Sequence, residues 1–350
     1  MSFFVLLSPF ALVFRVVLLA VPLLVLALLV YVLVRPVRWA DPEGADPDSA
    51  TAATARRMAI TYRIATLVGL FYAAWAWLSL PNLNWVALTD PPGLLAALVP
   101  IMAGLLFLAV VAIGESTWPR PRGTTRKANL THRPAVARAA SLPRAAMWLW
   151  FGILAAALVV FGLIAAPEGR SMPHPFDPGN PNTSGAAGPF PGWPYGVPIL
   201  VGAALLVMAA LATSHLIARR PAIPGTPAHN DAALRTAAAT RVAKGAQLAL
   251  AVTLAGVLWF ASASAGNAGL WWAWATALLG VLTLGGGSVV AVRPARADDP
   301  SLAAPPPAVP LAHQASPSAP PSPLSYPAAP SATPSSFGHN APSAAPEGTA

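Results

Sequence analysis

Hydrophobic residues in this chain are gathered into blocks of about twenty, and the stretches between the blocks hold nearly all of the charged residues. A helix of about twenty residues is long enough to cross the roughly 30 Å of hydrocarbon in a bilayer. Such a helix also satisfies its own backbone hydrogen bonds where water is absent. Seven blocks, called the first to seventh apolar segments, are Val16–Val34, Ile64–Leu80, Leu94–Gly114, Ala145–Ala166, Val197–Ala218, Ala246–Ala265 and Leu270–Val292.

This pattern predicts an all-α fold, a polytopic transmembrane bundle of about seven helices within residues 1–296. The stretch Phe3–Phe14 is also apolar, and Arg15 separates it from the first apolar segment. We expect it to lie in the membrane interface, with Arg15 reaching the lipid headgroups. A cleaved signal peptide is disfavoured, because Val32–Trp39 contains no small-residue cleavage site.

Residues 297–350 form a separate region that is rich in proline, alanine and serine. From Pro300 onward there are fourteen prolines among 51 residues and one charged side chain, Glu347. Such a segment buries too little apolar area to offset its conformational entropy, and proline interrupts helix and sheet. The sequence therefore predicts a disordered tail.

The basic residues predict the orientation of the bundle, because short cytoplasmic loops retain arginine and lysine. Eighteen of the 21 basic residues follow the first, third, fifth or seventh apolar segment. They are Arg35, Arg38, Arg56, Arg57, Arg120, Arg122, Arg126, Lys127, Arg133, Arg138, Arg144, Arg219, Arg220, Arg235, Arg241, Lys244, Arg293 and Arg296. We therefore expect a multi-pass plasma-membrane protein with its N-terminus outside and its C-terminal tail in the cytoplasm. Arg15 does not fit this pattern.

Composition agrees with a membrane protein, because 56% of the residues are hydrophobic and only 9% are charged. The net charge of +9 is explained by the retained loops, so nucleic-acid binding is not expected. The chain has no cysteine, which excludes disulfides, thiolate metal sites and cysteine nucleophiles. The preference for arginine over lysine, with abundant alanine and proline, is typical of a GC-rich bacterial genome.

The apolar segments contain few of the residues that a coupled transporter needs. None of them contains Asp or Glu, although a coupled transporter usually needs an acidic group inside the membrane. Glu115 follows the third segment, and we expect it to be a solvated boundary residue. Pro22, Pro100 and Gly285-Gly286-Gly287 could break helices and expose backbone carbonyls to ions, but membrane helices also tolerate proline and glycine.

His215 and Ser288 are the residues from which a catalytic dyad could be built, since both lie near inner ends of apolar segments. No oxyanion donor is identifiable beside them, and interface histidines are common without catalysis. We predict no enzyme activity, no catalytic residue, no metal site and no cofactor.

Two repeated patterns each have two interpretations. Arg-Pro follows every odd-numbered segment, which indicates either a duplicated hairpin or the ordinary stop signals of cytoplasmic helix ends. Small residues recur four apart and could serve packing within the bundle or homo-oligomer formation. These rows are Ala65, Gly69 and Ala73; Gly152 and Ala156; Ala251 and Ala255; and Ala273 and Ala277.

Partners are predicted from the polar regions. The loop Ser116–Arg144 holds seven basic residues and is expected to contact anionic lipid headgroups. The tail contains overlapping P-x-x-P spacings at Pro317, Pro320 and Pro323, which could dock on a protein partner or belong to a passive linker. The connection Pro167–Pro198 is expected to be irregular, with Phe176, Phe190, Trp193 and Tyr195 able to pack on the bundle or the headgroups.

By elimination, the sequence favours a non-enzymatic envelope scaffold that binds partners at the membrane. A transporter or channel subunit is the alternative, and it would require a polar cavity at mid-depth. A third possibility is a membrane sensor whose ligand binds in the outer connection Pro167–Gly196.

Overall fold

A computed structural model describes residues 50–79, 91, 93–118, 141–173, 185–221 and 228–293. The first apolar segment, the stretch Phe3–Phe14 and the region 297–350 lie outside the described residues, as does most of the loop Ser116–Arg144. The predictions made for them stay predictions.

The described residues form six helices and one small sheet. The helices are α1 (Ala50–Leu78), α2 (Leu94–Ser116), α3 (Ser141–Ile164), α4 (Trp193–Arg219), α5 (Ala228–Asn267) and α6 (Ala273–Val292). All six are long and apolar enough to cross a membrane, which confirms the second to seventh segments as helices. A count of seven is not confirmed, since the first segment is not described.

Two helices begin well before the apolar segments that predicted them. α1 starts at Ala50 rather than Ile64, and α5 starts at Ala228 rather than Ala246. The added turns are rich in alanine, and they contain no glycine or proline before Gly245 in α5, so their helix propensity is high although their hydropathy is low. The prediction of loops is therefore wrong for the basic residues that lie on helices, which are Arg56, Arg57, Arg144, Arg219, Arg235, Arg241 and Lys244.

α5 is the central helix of the bundle and packs against all five of the others. Its 40 residues make it about 60 Å long at 1.5 Å per residue. α1 packs mainly on α2, and α4 lies between α2 and α3. α6 packs almost entirely on α5, so much of its surface faces outward.

Successive helices run in opposite directions. At one end Arg57 of α1 bonds to Thr117 after α2, and Lys244 of α5 donates to the carbonyl of Arg293 after α6. At the other end Ser262 of α5 donates to the carbonyl of Ala273 of α6 at 2.7 Å. We call the first the basic end. Among the described residues, every Arg and Lys except Arg170 lies in the half of the bundle next to it.

Three of the four small-residue rows pack inside the chain. Gly69 lies so close to α2 that an added Cβ would be 3.1 Å from the carbonyl oxygen of Ala103. A Cβ on Gly287 of α6 would collide with Ala251 of α5. Ala273 and Ala277 are buried as well, which favours packing within the bundle for these rows. The row Gly152 and Ala156 faces outward on α3.

The connection from α3 to α4 is partly ordered rather than wholly irregular. Two short antiparallel strands, β1 (Met172–Pro173) and β2 (Ala186–Ala187), pair within it. Phe190 is completely buried, with its ring 5.5 Å from that of Phe161, so of the two expected alternatives, bundle or headgroups, it packs on the bundle. Trp193 lies over Gly162 at the start of α4, Tyr195 is half-buried, and Phe176 is outside the described residues.

Candidate functional site

Four charged side chains meet inside the basic end, and we call them the charge cluster: Glu115, Arg220, Asp231 and Arg235. Nη1 of Arg220 lies 3.3 Å from Oε2 of Glu115, and its Nη2 lies 3.5 Å from Oδ1 of Asp231. Arg235 contacts Oδ2 of the same aspartate through Nε at 2.8 Å and Nη2 at 2.7 Å. The cluster joins the ends of α2, α4 and α5.

Local structure brings these residues together. α4 ends at Arg219, and Arg220 begins an extended stretch that continues into Pro221, a residue that cannot prolong a helix through hydrogen bonding. Asp231 lies in the first turn of α5, where a negative charge is favoured by the helix dipole. Arg235 follows it by four residues, so the two side chains share one face of the helix.

Arg235 also caps the end of α4. Its Nη1 lies within hydrogen-bond distance of the carbonyl oxygens of Ile217, Ala218 and Arg220, at 3.4, 3.1 and 2.6 Å. A helix leaves its last four carbonyls without the usual partner four residues on, so groups at its end need other donors. Arg235 is one such donor here, and the backbone N–H of Arg220 is another, at 3.4 Å from the carbonyl oxygen of Ile217. One side chain therefore neutralises Asp231 and closes the connection between α4 and α5.

Trp118 links the charge cluster to α1. Its indole N–H donates to Oε2 of Glu115 at 3.0 Å, and the guanidinium of Arg220 lies 4.5 Å from the ring centroid. Arg57 of α1 lies 4.9 Å from the same ring and donates to the carbonyl of Thr117 at 2.8 Å. Cation–π contacts of this kind strengthen when they are shielded from water.

The charge cluster is electrically balanced, with two carboxylates and two guanidinium groups. Arg220 and Glu115 are almost fully buried, with 1% and 3% of their side chains exposed. Burying charges is costly, and only well-paired groups recover that cost. Even so, among the described residues the ion-pair contacts do not supply a hydrogen bond to every atom of the charge cluster, and four atoms lack one: Nε and Nη2 of Arg220, Oδ1 of Asp231 and Nη2 of Arg235. The pairing is thus strong but incomplete.

The prediction that Glu115 is a solvated boundary residue is wrong. It is buried because Arg220 and Trp118, both outside the apolar segments, fold back over the end of α2. The sequence contained one usable signal, the Asp231 and Arg235 pair at a four-residue spacing. The pairing of Glu115 with Arg220 joins residues more than a hundred positions apart and had no local signal.

A second polar contact lies deeper in the bundle. Gln247 of α5 is fully buried, accepts a hydrogen bond from Nε1 of Trp150 at 3.1 Å, and donates to the carbonyl of Gly287 at 2.9 Å. This polar rung ties α3, α5 and α6 together. The sequence analysis did not single out Gln247. It lies at the predicted start of the sixth segment, and polar residues are common at the ends of membrane helices.

Tyr62 joins α1 to α5. Its hydroxyl donates to the carbonyl of Ala238 at 3.1 Å, and the guanidinium of Arg241 lies 5.4 Å from its ring. Arg241 therefore packs along the bundle instead of extending from a loop.

At the opposite end of the bundle, Ser171 donates to Glu168, and this hydrogen bond holds the pKa of that exposed carboxyl below its usual value.

The other predicted candidates are not brought together. His215 is exposed on α4 and Ser288 is half-buried on α6, and within the described residues neither hydrogen-bonds to the other. α2 continues through Pro100, and α6 continues through Gly285-Gly286-Gly287, so neither helix is broken there. Pro22 lies outside the described residues. In the part of the chain that is described, no three His, Asp or Glu side chains converge as metal ligands.

Comparisons of the chain with protein-family models, curated proteins and solved structures give no match. Function must therefore be inferred from the described side chains alone.

Proposed function

We propose that this chain is a non-enzymatic scaffold of the cell envelope, which holds partners at the cytoplasmic face of the plasma membrane. The proposal is supported by six helices suited to crossing a membrane and by the concentration of charge at one end of the bundle. A scaffold needs a stable body and a surface of distinct chemistry, and the basic end provides such a surface.

The observation that carries the proposal is that buried polar side chains between the two ends donate their hydrogen bonds within the chain. Thr213, Thr253 and Thr283 are buried, and each donates to a carbonyl four residues earlier in its own helix. Gln247 uses both ends of its amide group within the polar rung. The hydroxyl protons of these threonines and one amide N–H of Gln247 are therefore used inside the bundle and are not offered to a solute. Ionisable groups inside the membrane, by contrast, are typical of transport pathways.

The orientation belongs to the same proposal. We place the basic end in the cytoplasm, the first apolar segment Val16–Val34 as a seventh span, and the N-terminus outside. The chain has no native cysteine, so single cysteines report accessibility directly. Ala186→Cys and Ser2→Cys should react with a membrane-impermeant thiol reagent in intact cells, and Pro221→Cys only after permeabilisation. Labelling of Pro221→Cys alone in intact cells would reverse the orientation.

The scaffold role is tested by co-purification in mild detergent, with the full chain and with a variant ending at Asp299. We expect a protein partner to be retained by the full chain and lost with the tail. A chain that retains no partner in either form contradicts the proposal, and a partner retained by both forms moves the contact from the tail to the bundle.

A second candidate function, transport, is favoured by the unbonded atoms of the charge cluster. Within the described residues, Nε of Arg220 and Oδ1 of Asp231 are buried without a hydrogen bond, although Oδ1 lies 3.5 Å from Nη2 of Arg220. Buried polar atoms of this kind are often satisfied by water. Leu206 and Leu250 are fully buried in the bundle interior, so cysteines at these positions discriminate between the two functions. Reaction with a hydrophilic thiol reagent would indicate a water-filled path and favour transport, and protection would favour the scaffold.

A further inference from the structure

Four arginines, which we call the perimeter arginines, stand at the rim of the basic end on four different helices. They are Arg56 on α1, Arg144 on α3, Arg219 on α4 and Arg293 directly after α6. Three of them are exposed and Arg144 is half-buried. Among the described residues, no ion pair or side-chain hydrogen bond engages any of these guanidinium groups.

The acidic residues that the structure describes at the same end are engaged with other partners. Glu115 and Asp231, the acidic residues described there, are enclosed in the charge cluster and paired with Arg220 and Arg235. Within the described residues, the balanced ion pairs therefore lie inside the basic end, and the perimeter arginines lie around it without an acidic partner. Positive potential of this kind attracts anionic groups at the surface.

Each perimeter arginine lies on the same helix face as an exposed apolar side chain. Residues three or four apart in a helix are neighbours on its surface, so the apolar group is one turn farther from the basic end. The pairs are Arg56 with Ile60, Arg144 with Trp148, Arg219 with Leu216, and Arg293 with Val289. All four of these apolar side chains are between 45% and 51% exposed.

We propose that the perimeter arginines bind the phosphate groups of anionic phospholipids that surround the bundle. An acyl chain would lie along the exposed apolar side chain, which places the phosphate at the level of the guanidinium one turn away. Guanidinium binds phosphate through two parallel hydrogen bonds, and basic residues between membrane helices commonly hold anionic headgroups. The apolar row favours lipid over an acidic protein, since a protein approaching from water would not contact it.

This inference rests on the chain being embedded in a bilayer and not on its orientation or its scaffold role. It places the lipid contact at described helix ends, Arg144 included, rather than at the loop arginines between Arg120 and Arg133. That difference allows a matched comparison between two variants with the same change in net charge. The perimeter variant is R56Q/R144Q/R219Q/R293Q, and the loop variant is R120Q/R122Q/R126Q/R133Q.

The measurement is the Tm of the purified full chain in a neutral detergent, titrated with phosphatidylglycerol or with phosphatidylcholine. We expect phosphatidylglycerol to raise the Tm and phosphatidylcholine to leave it nearly unchanged. The perimeter variant should require at least about tenfold more phosphatidylglycerol for the same shift, whereas the loop variant should behave like the parent chain. Four Arg→Lys changes at the perimeter positions should restore most of the shift, since they keep the charge.

Several results would overturn the proposal. Equal stabilisation by phosphatidylcholine would mean that the acyl chains alone are responsible. The same shift with inorganic phosphate would assign the site to a soluble anion, and an equal loss in the loop variant would assign the effect to net charge. A shift abolished by an acidic peptide competitor but insensitive to the perimeter variant would indicate a protein-binding surface. If the perimeter variant fails to fold, the single variants R219Q and R293Q, both at exposed helix ends, should each weaken the shift.

Discussion

The guanidinium of Arg220 lies 3.3 Å from the carboxylate of Glu115, and the two residues come from different helices that end at the same face of the bundle. Both side chains are almost completely buried. The pair is therefore a tertiary contact between α2 and the end of α4, and the loss of either charge would leave the buried charge cluster with a net charge.

Removal of one member of this pair should destabilise the chain strongly. Glu115→Gln and Arg220→Gln each leave an uncompensated buried charge, for which the free energy of unfolding typically falls by about 3–5 kcal/mol. The double variant Glu115→Gln/Arg220→Gln should cost less than the sum of the two single variants, because the remaining charge is removed as well. Thermal or denaturant unfolding in detergent measures all three. Additive losses would show that the two residues are not coupled.

The polar rung should contribute less, because it consists of neutral hydrogen bonds. Gln247→Leu removes the acceptor for Trp150 and the donor for the carbonyl of Gly287, and should cost about 1–2 kcal/mol. Trp150→Phe breaks only one of the two hydrogen bonds, so the loss of hydrogen bonding should lower the free energy of unfolding by less. The smaller ring also loses packing contacts, which lowers it further. Unfolding in a denaturing detergent provides the comparison. A more stable Gln247→Leu would show that apolar packing outweighs the rung.

The contact between α5 and α6 should be sensitive to a single methyl group. A Cβ at Gly287 would collide with Ala251, so Gly287→Ala should lower the stability by about 1–3 kcal/mol through overpacking. Gly285 offers the matched control, because no described atom lies within 4 Å of the position where its Cβ would stand. Gly285→Ala should be neutral or slightly stabilising, since alanine favours helix. Equal behaviour of the two variants in thermal unfolding would contradict the described contact.

The sequence was sufficient to locate six helices, because the apolar segments report which residues lipid accepts. It did not locate the starts of α1 and α5, where alanine-rich turns with arginine are helical by propensity but polar by hydropathy. Helix propensity and hydropathy both predict a helix in the middle of a membrane span, but they give different predictions at its ends. Loop and helix were therefore confused only where water and lipid meet.

The candidate site was harder to predict, for a physical reason visible in Glu115. Its neighbours in sequence are those of a solvated helix end, and its burial comes from Arg220 and Trp118, which approach from other parts of the fold. Hydropathy indicates whether a residue type prefers water or lipid, but it does not take into account the other residues that contact it in the fold. Gln247 was missed for the same reason, since its two hydrogen bonds reach α3 and α6.

The length of α5 has a mechanical consequence. About 60 Å of unbroken helix is nearly twice the thickness of the hydrocarbon layer, so α5 must lean steeply or project into water. Its first turns hold Asp231 and Arg235 of the charge cluster. Near its far end, Ser264 donates to the carbonyl of Pro189, beside the paired strands β1 and β2. α5 is thus one continuous helix with contacts at both ends of the bundle. A change in its tilt at the charge cluster would also move Ser264 and the residues that it contacts at the other end.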